Sequence, residues 1–351
     1  MEQILYGVLR DVPLRELSEA HIREQGGRLL CYVDDDAGKQ DAALGICPTS
    51  RIAETPRATV VIMSAAVQEI EAKIRAMGGD HEIFVAPLFG YRFICDRPDR
   101  GARASAARQF MRENYAQLKG LYDGDDAYTN RLLAQRARES ERFELVPVAE
   151  YRDLVCPIRQ DYFSYETVSP SGDITLMDCG VYTGDSIEAI YRVYGDALRY
   201  IYAFEPDAEN MSSTRATLRR IGLSEKTECF GCGVWERDGE LRFKGANDAL
   251  GQDDSGDILL PVRTIDSVMR DRVVAGKLCI KMDLEGAECG ALRGARETIL
   301  RHRPWMAICV YHHMADILDV PQTIRDICPE YRFYLRGGLH TACYAVPDKG
   351  A

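Results

Sequence analysis

Nowhere in the chain does an apolar run approach the roughly 20 residues that a bilayer-spanning helix requires, so no membrane span is expected. Positive charge is also short. The 44 Lys and Arg stand against 55 Asp and Glu, a net charge of -11, which argues against nucleic acid or an anionic membrane as the main partner. The amino terminus, MEQILYGVLRDVPLREL, is charged almost from its start and lacks a long apolar core ahead of a small-residue cleavage site. Cytoplasmic residence is therefore expected. That compartment does not sustain structural disulfides, so the 12 cysteines read as reduced thiols. Cys279 in KLCIKMD and Cys309 in WMAICVY sit in apolar stretches and read as small buried hydrophobes. Cys229 and Cys232 form C-x-x-C, but no second pair follows at a matching spacing, so they read as core thiols and not as half a zinc site. No internal repeat or low-complexity tract is present.

What remains is an ordinary globular mixture, 46% hydrophobic and 28% charged, able to bury a sizeable core. QILYG, RLLCYVDDD, ATVVIMS and HEIFVA alternate with amphipathic stretches, the pattern of βαβ units on a parallel sheet. RASAARQFMRENYAQLKGLY and AYTNRLLAQRARES then read as helices separated by DGDD. A second alternating region begins near Gly172, with DITLMD, RYIYAFE, KTECFGCGV, KLCIKMD and PWMAICVY as candidate strands. YRFYLR and GGLHTACYAV close the chain as a hairpin turning at Gly337-Gly338. The division expected is 1–95, a Rossmann-like accessory domain; 96–160, a helical linker; and 161–351, the catalytic domain.

Four motifs carry chemistry. In DCGVYTGD, Asp178 ends an apolar strand, and Gly180 and Gly184 flank a tight turn before a helix, so backbone N–H groups can approach a ligand. In AFEP, Glu205 ends the next strand, near the place about 20 positions past such a loop where an acid grips a ribose diol. The pattern D-x-G-x-x-x-G-D is not the G-x-G-x-x-G of a dinucleotide site. A donor without phosphate tolerates Asp178 and Asp185, which can face ammonium and sulfonium charge, so the loop favours S-adenosylmethionine over NAD. In IKMDLEGAE, Asp283 ends another strand at the edge where open α/β sheets bind ligands, with Glu285 and Glu288 close behind. These carboxylates read as base, cation holder or metal site, or simply as helix N-terminal charge. In VYHH, His312 ends a further strand on the same edge and can accept a hydroxyl proton, with His313 the weaker candidate; either can equally be structural.

DCGVYTGDS, AFEPD, ECFGCGVWERDGEL, PVRTIDSVM, IKMDLEGAECGALRGA and ICVYHH, then Asp316, Pro321 and YRFYLR, resemble FkbM-type methyltransferases in order and spacing over about 160–346. The resemblance implies an α/β class I methyltransferase fold, Rossmann-like, with a seven-stranded sheet whose last strand is antiparallel. It implies S-adenosylmethionine contacts from Asp178, Gly180, Thr183, Gly184 and Glu205, with adenine near Cys232, Gly233 and Trp235, and O-methylation of a sugar, polyketide or other secondary metabolite. Cys179 and Val181 depart from the small residues usual in the loop. The first domain resembles a Rossmann-like module with a broken loop: GVLRDV keeps Gly7 only, Leu9 and Val12 replace the later glycines, and Asp34 holds the ribose-acid position. Substrate docking or homodimerisation suits it better than dinucleotide binding.

The expected reaction is in-line transfer of the sulfonium methyl to an acceptor hydroxyl, with His312 or Asp283 as base and Glu285 beside them. No metal is assigned in that reading. A rival holds Mg²⁺ on Asp283, Glu285 and Glu288; others are a non-catalytic nucleoside-binding scaffold or sensor, and an NAD-linked oxidoreductase. The acceptor, a small molecule or carbohydrate, would meet residues 91–165 and the polar stretch 245–257, read as a mobile lid.

Overall fold

The computed structural model describes residues 2–7, 12–64, 66–86, 100–141, 145–154, 162–163, 165, 167–246, 249–252, 256–337 and 341–348. The chain forms two compact units. One comprises Met1–Ala116 and Asn130–Cys156, the other Gln117–Thr129 and Pro157–Ala351. No helix among the described residues is long and apolar enough to cross a membrane.

The first unit holds β1 (Glu2–Tyr6), β2 (Arg28–Asp34), β3 (Ile46–Pro48), β4 (Thr59–Ile62), β5 (Ile83–Val85) and β6 (Val146–Pro147), in the order β3-β2-β1-β4-β5-β6. All pairs are parallel except β5 with β6. The reversal of strand order about β1 is the Rossmann arrangement. Val60, Val61 and Ile62 are fully buried, as expected of a parallel strand covered on both faces. The helix Val67–Ala76 turns Val67, Ile70 and Ile74 inward at i, i+3 and i+7. Gly7 ends β1 with φ +85°, and Asp34 ends β2 within 3.5 Å of Lys39. Most of the altered loop, residues 8–11, lies outside the described residues.

The second unit is built on β7 (Ile174–Cys179), β8 (Leu198–Phe204), β9 (Thr227–Phe230), β14 (Lys277–Met282), β15 (Trp305–Cys309), β16 (Tyr331–Arg336) and β17 (Ala342–Pro347), in the order β16-β17-β15-β14-β7-β8-β9. β17 runs antiparallel to both its neighbours, β16 and β15, while β15, β14, β7, β8 and β9 pair in parallel. This is the class I methyltransferase-like α/β arrangement that the resemblance implies, closed by the hairpin read at the end of the chain. Gly338, in the expected turn, lies outside the described residues.

Two expectations are corrected. KTECFGCGV is not one strand: β9 stops at Phe230, and β10 (Gly233–Val234) starts a separate sheet with β11 (Gly239–Ala246), β12 (Ala249–Gln252) and β13 (Ile258–Arg263), in the order β10-β13-β11-β12. The polar stretch 245–257 is not simply a loop. Gly245 pairs with Leu250 and Ala246 with Ala249, so backbone hydrogen bonding forms a hairpin where side-chain alternation gives no strand signal. Residues 247–248 and 253–255 of that stretch lie outside the described residues.

Candidate active site

Strand order in the second unit reverses between β14 and β8, on either side of β7, and a crevice opens at the carboxyl ends of such strands. There the chain leaves β7 into residues 180–184. Gly180 has φ +79°, and a Cβ on it would collide with the Asp283 carbonyl oxygen, so only glycine permits this approach. Its N–H and that of Val181 donate to the Phe204 carbonyl at 3.0 and 3.1 Å. Thr214 and Thr217, on the helix Ala208–Arg220, donate hydroxyls to the carbonyls of Tyr182 (2.8 Å) and Thr183 (2.9 Å). Gly184, also at positive φ, leads into the helix Asp185–Tyr194, and Asp185 is exposed at its start.

Glu205 follows β8. Its carboxylate accepts the Tyr182 N–H at 3.0 Å and the Asp207 N–H at 2.9 Å, one on each oxygen, so each keeps acceptor capacity for a ligand hydroxyl. Burial pushes its pKa up, against those two bonds.

Asp178 lies beneath the turn, fully buried. Register places Lys281 of β14 beside it, with Nζ 3.1 Å from Asp178 Oδ1; the same ammonium donates to the Gly180 carbonyl at 2.6 Å. The Ser186 hydroxyl donates to Asp178 Oδ2 at 2.5 Å. Burial raises the Asp178 carboxyl, opposed by Lys281 and Ser186. Burial would lower the Lys281 ammonium, but Asp178 and Asp283 outweigh it and hold it charged above the ordinary lysine value. The pair locks the turn from below, a positioning role that the sequence reading missed for Lys281. The signal was there: a lysine inside the apolar run KLCIKMD, one strand from a buried aspartate, needs a partner.

Asp283, Glu285, Glu288 and His312 come together at the ends of β14 and β15. His312, with a side chain 5% exposed, has Nε2 3.2 Å from Asp283 Oδ1 and 3.6 Å from Glu285 Oε2, and Nδ1 3.0 Å from Glu288 Oε1. The Tyr311 hydroxyl, given no role from sequence, donates to Asp283 Oδ1 at 2.8 Å. Burial would raise the Asp283 carboxyl, but His312, Lys281 and Tyr311 hold it well below the usual carboxylate range. Burial would likewise lower His312, yet Glu288 and Asp283 raise it well above the ordinary imidazole value. Glu288 is buried and also accepts the Leu284 N–H at 2.8 Å, and Glu285 holds a left-handed φ of +52°. His313 is instead committed to Asp316, its N–H donating at 2.7 Å.

Cys232 and Gly233 are buried at β10. Trp235, just beyond, lays its ring over Gly290 of the helix Glu288–Arg293, where a Cβ would strike it. Cys232 is a free thiol, as is Cys229.

Residues 178–333 match the family model of the methyltransferase FkbM domain. The structure of methyltransferase FkbM from Methylobacillus flagellatus KT shares 22% identity, with 98% of this chain and 89% of that one covered at a TM-score of 0.57, a likeness of fold. Precorrin-6y C5,15-methyltransferase from Geobacter metallireducens GS-15 aligns at 8% identity, 54% and 86% coverage and a TM-score of 0.35. A SAM-dependent methyltransferase from Aquifex aeolicus aligns at 14% identity, 56% and 96% coverage and a TM-score of 0.32. No curated protein matches the sequence significantly.

Proposed function

We propose that this FkbM methyltransferase domain binds S-adenosylmethionine across the 180–184 turn and methylates a hydroxyl on a sugar, glycoconjugate or secondary metabolite. The observation that carries the reading is Glu205, buried at the end of β8 with one oxygen on the turn at Tyr182 and the other on the Asp207 N–H, on the same edge as Asp283. Gly180, Thr183 and Gly184 would lie under the donor, Glu205 would take its ribose diol, and Cys232, Gly233 and Trp235 would line the adenine side. Asp178 would act through Lys281 and the turn, since its carboxylate is enclosed. The exposed Asp185 would face donor charge.

Bound S-adenosylmethionine supplies an electrophilic methyl on sulfur. The chain's part is to place the acceptor oxygen in line and to take its proton. Asp283, 24% exposed, faces the opening, whereas His312 is enclosed behind it; proton acceptance therefore falls to Asp283, with the Tyr311 hydroxyl orienting it and Glu285 at the rim. The test is calorimetry with S-adenosylmethionine and S-adenosylhomocysteine on wild-type and Glu205→Ala protein, with transfer of labelled methyl to hydroxyl acceptors. Binding lost with Glu205 supports the reading. A chain with no affinity for either nucleoside refutes it.

A further inference from the structure

We infer that Asp283, Glu285 and His312 form a site for a first-row divalent cation such as Mn²⁺, bound by two carboxylate oxygens and the imidazole Nε2, which gives up its proton to solvent as the cation binds. The inference rests on the methyl-transfer reading only for its purpose, since the ligand set stands on geometry. One ligand atom from each of the three residues lies within 4.8 Å of the others. Ligands sharing an ion at about 2.1 Å stand about 3.0 Å apart on an octahedral edge and about 3.4 Å apart on a tetrahedral one. The Nε2 separations of 3.2 Å to Asp283 and 3.6 Å to Glu285 fall within that range and just beyond it.

A second observation is independent of the acidic residues. Neither ring nitrogen of His312 makes an aligned hydrogen bond, although the side chain is only 5% exposed and carboxylates surround it. A buried imidazole without a satisfied bond is costly. Its Nε2 edge is turned between two carboxylates and aimed squarely at neither.

The two sides of the ring are not equivalent. Glu288, Asp316 and Nδ1 also cluster, but Glu288 and Asp316 are buried, Glu288 already accepts the Leu284 N–H, and Asp316 accepts the His313 N–H. Glu288 thus stands where a carboxylate orients a metal-bound imidazole from its far nitrogen. The Nε2 side is open: Asp283 is 24% and Glu285 39% exposed, and Asp283 Oδ1, which accepts the Tyr311 hydroxyl, keeps a second lone pair for an ion. An imidazole beside two carboxylates suits Mn²⁺, Fe²⁺, Co²⁺ or Zn²⁺ better than Mg²⁺, which prefers oxygen throughout. Three protein ligands leave positions for oxygens of the acceptor.

The full chain, stripped with chelator and desalted, is titrated with Mn²⁺ while the free-ion EPR signal is followed, in wild-type, Glu285→Gln, Glu288→Gln and His312→Ala proteins. One tight Mn²⁺ per wild-type chain is expected, weakened at least about tenfold in Glu285→Gln, about 10–100-fold in Glu288→Gln and lost in His312→Ala. Glu285 lies at the rim, so its variant tests the site even if His312→Ala does not fold. Free Mn²⁺ throughout a millimolar titration of wild type, or equal binding by wild type and Glu285→Gln, overturns the inference. Calorimetry with S-adenosylhomocysteine on the same samples separates the readings: Mn²⁺ bound without nucleoside affinity removes the methyl-transfer reading and keeps the metal, and the converse removes the metal alone.

Discussion

Replacing Lys281 by Met tests the idea that a buried ion pair holds the 180–184 turn. The side chain is 4% exposed and joins two groups, the Asp178 carboxylate at 3.1 Å and the Gly180 carbonyl at 2.6 Å. Met fills nearly the same volume, so the change removes charge more than packing. Removing one partner of a buried pair costs about 3–5 kcal/mol, because the other is left charged in a dry site. In a cooperative unit of 150–250 residues each kcal/mol moves Tm by about 2–4 °C, so Lys281→Met should lower it by about 6–20 °C. If the pair is the cause, Asp178→Asn on top of Lys281→Met should restore part of the loss, since the uncompensated carboxylate is then gone. The assay is urea unfolding of both singles and the double, with S-adenosylhomocysteine affinity measured below the transition. Lys281→Met within about 1 kcal/mol of wild type, or a double variant no more stable than it, refutes the argument.

Glu205→Ala should weaken S-adenosylmethionine about tenfold to hundredfold by calorimetry, from lost hydrogen bonds to a charged acceptor. Gly180→Ala places a side chain against the Asp283 carbonyl at φ +79°; it should abolish S-adenosylhomocysteine binding and lower Tm, whereas unchanged binding would show that the turn has another course. Asp126 accepts both terminal nitrogens of Arg336, at 2.7 and 3.0 Å, within the second unit. Burial would raise its carboxyl, but Arg336 and Thr129 hold it below the ordinary value. A depressed carboxyl stabilises above its unfolded pKa near 4, and that contribution fades as pH falls through its lower folded value. The urea stability gap between wild type and Asp126→Asn, about 3–5 kcal/mol at pH 7, should therefore shrink below about pH 4; a pH-independent gap would refute the pairing. Gly290→Ala should displace Trp235 and shift its fluorescence, and an unchanged spectrum would place the ring elsewhere.

Much of this was legible in the residues. The runs around Asp178 and Lys281 are apolar because parallel central strands are covered on both faces, and that made β7 and β14 easy to find. Gly337 flagged the turn before β17. Gly180 and Gly184 flagged a turn that needs positive φ. What stayed hidden depends on register and distant contact. Lys281 meets Asp178 only once β14 is laid beside β7 in register, and Trp235 meets Gly290 only across the fold. The sheet from β10 to β13 escaped because β12 is held by main-chain bonding, which leaves no mark in side-chain alternation.

The chain passes between its two units three times, at about residues 117, 130 and 157. The short excursion 117–129 brings Tyr122, whose hydroxyl donates to the Ile317 carbonyl, and Asp126, which neutralises the enclosed Arg336. A fragment cut at residue 157 would retain every residue proposed for methyl transfer yet strand a guanidinium with no counter-charge from that excursion. Excising the second unit as one contiguous piece, whether at the bench or by gene fusion, therefore means carrying residues 117–129 along or replacing Arg336 with something neutral.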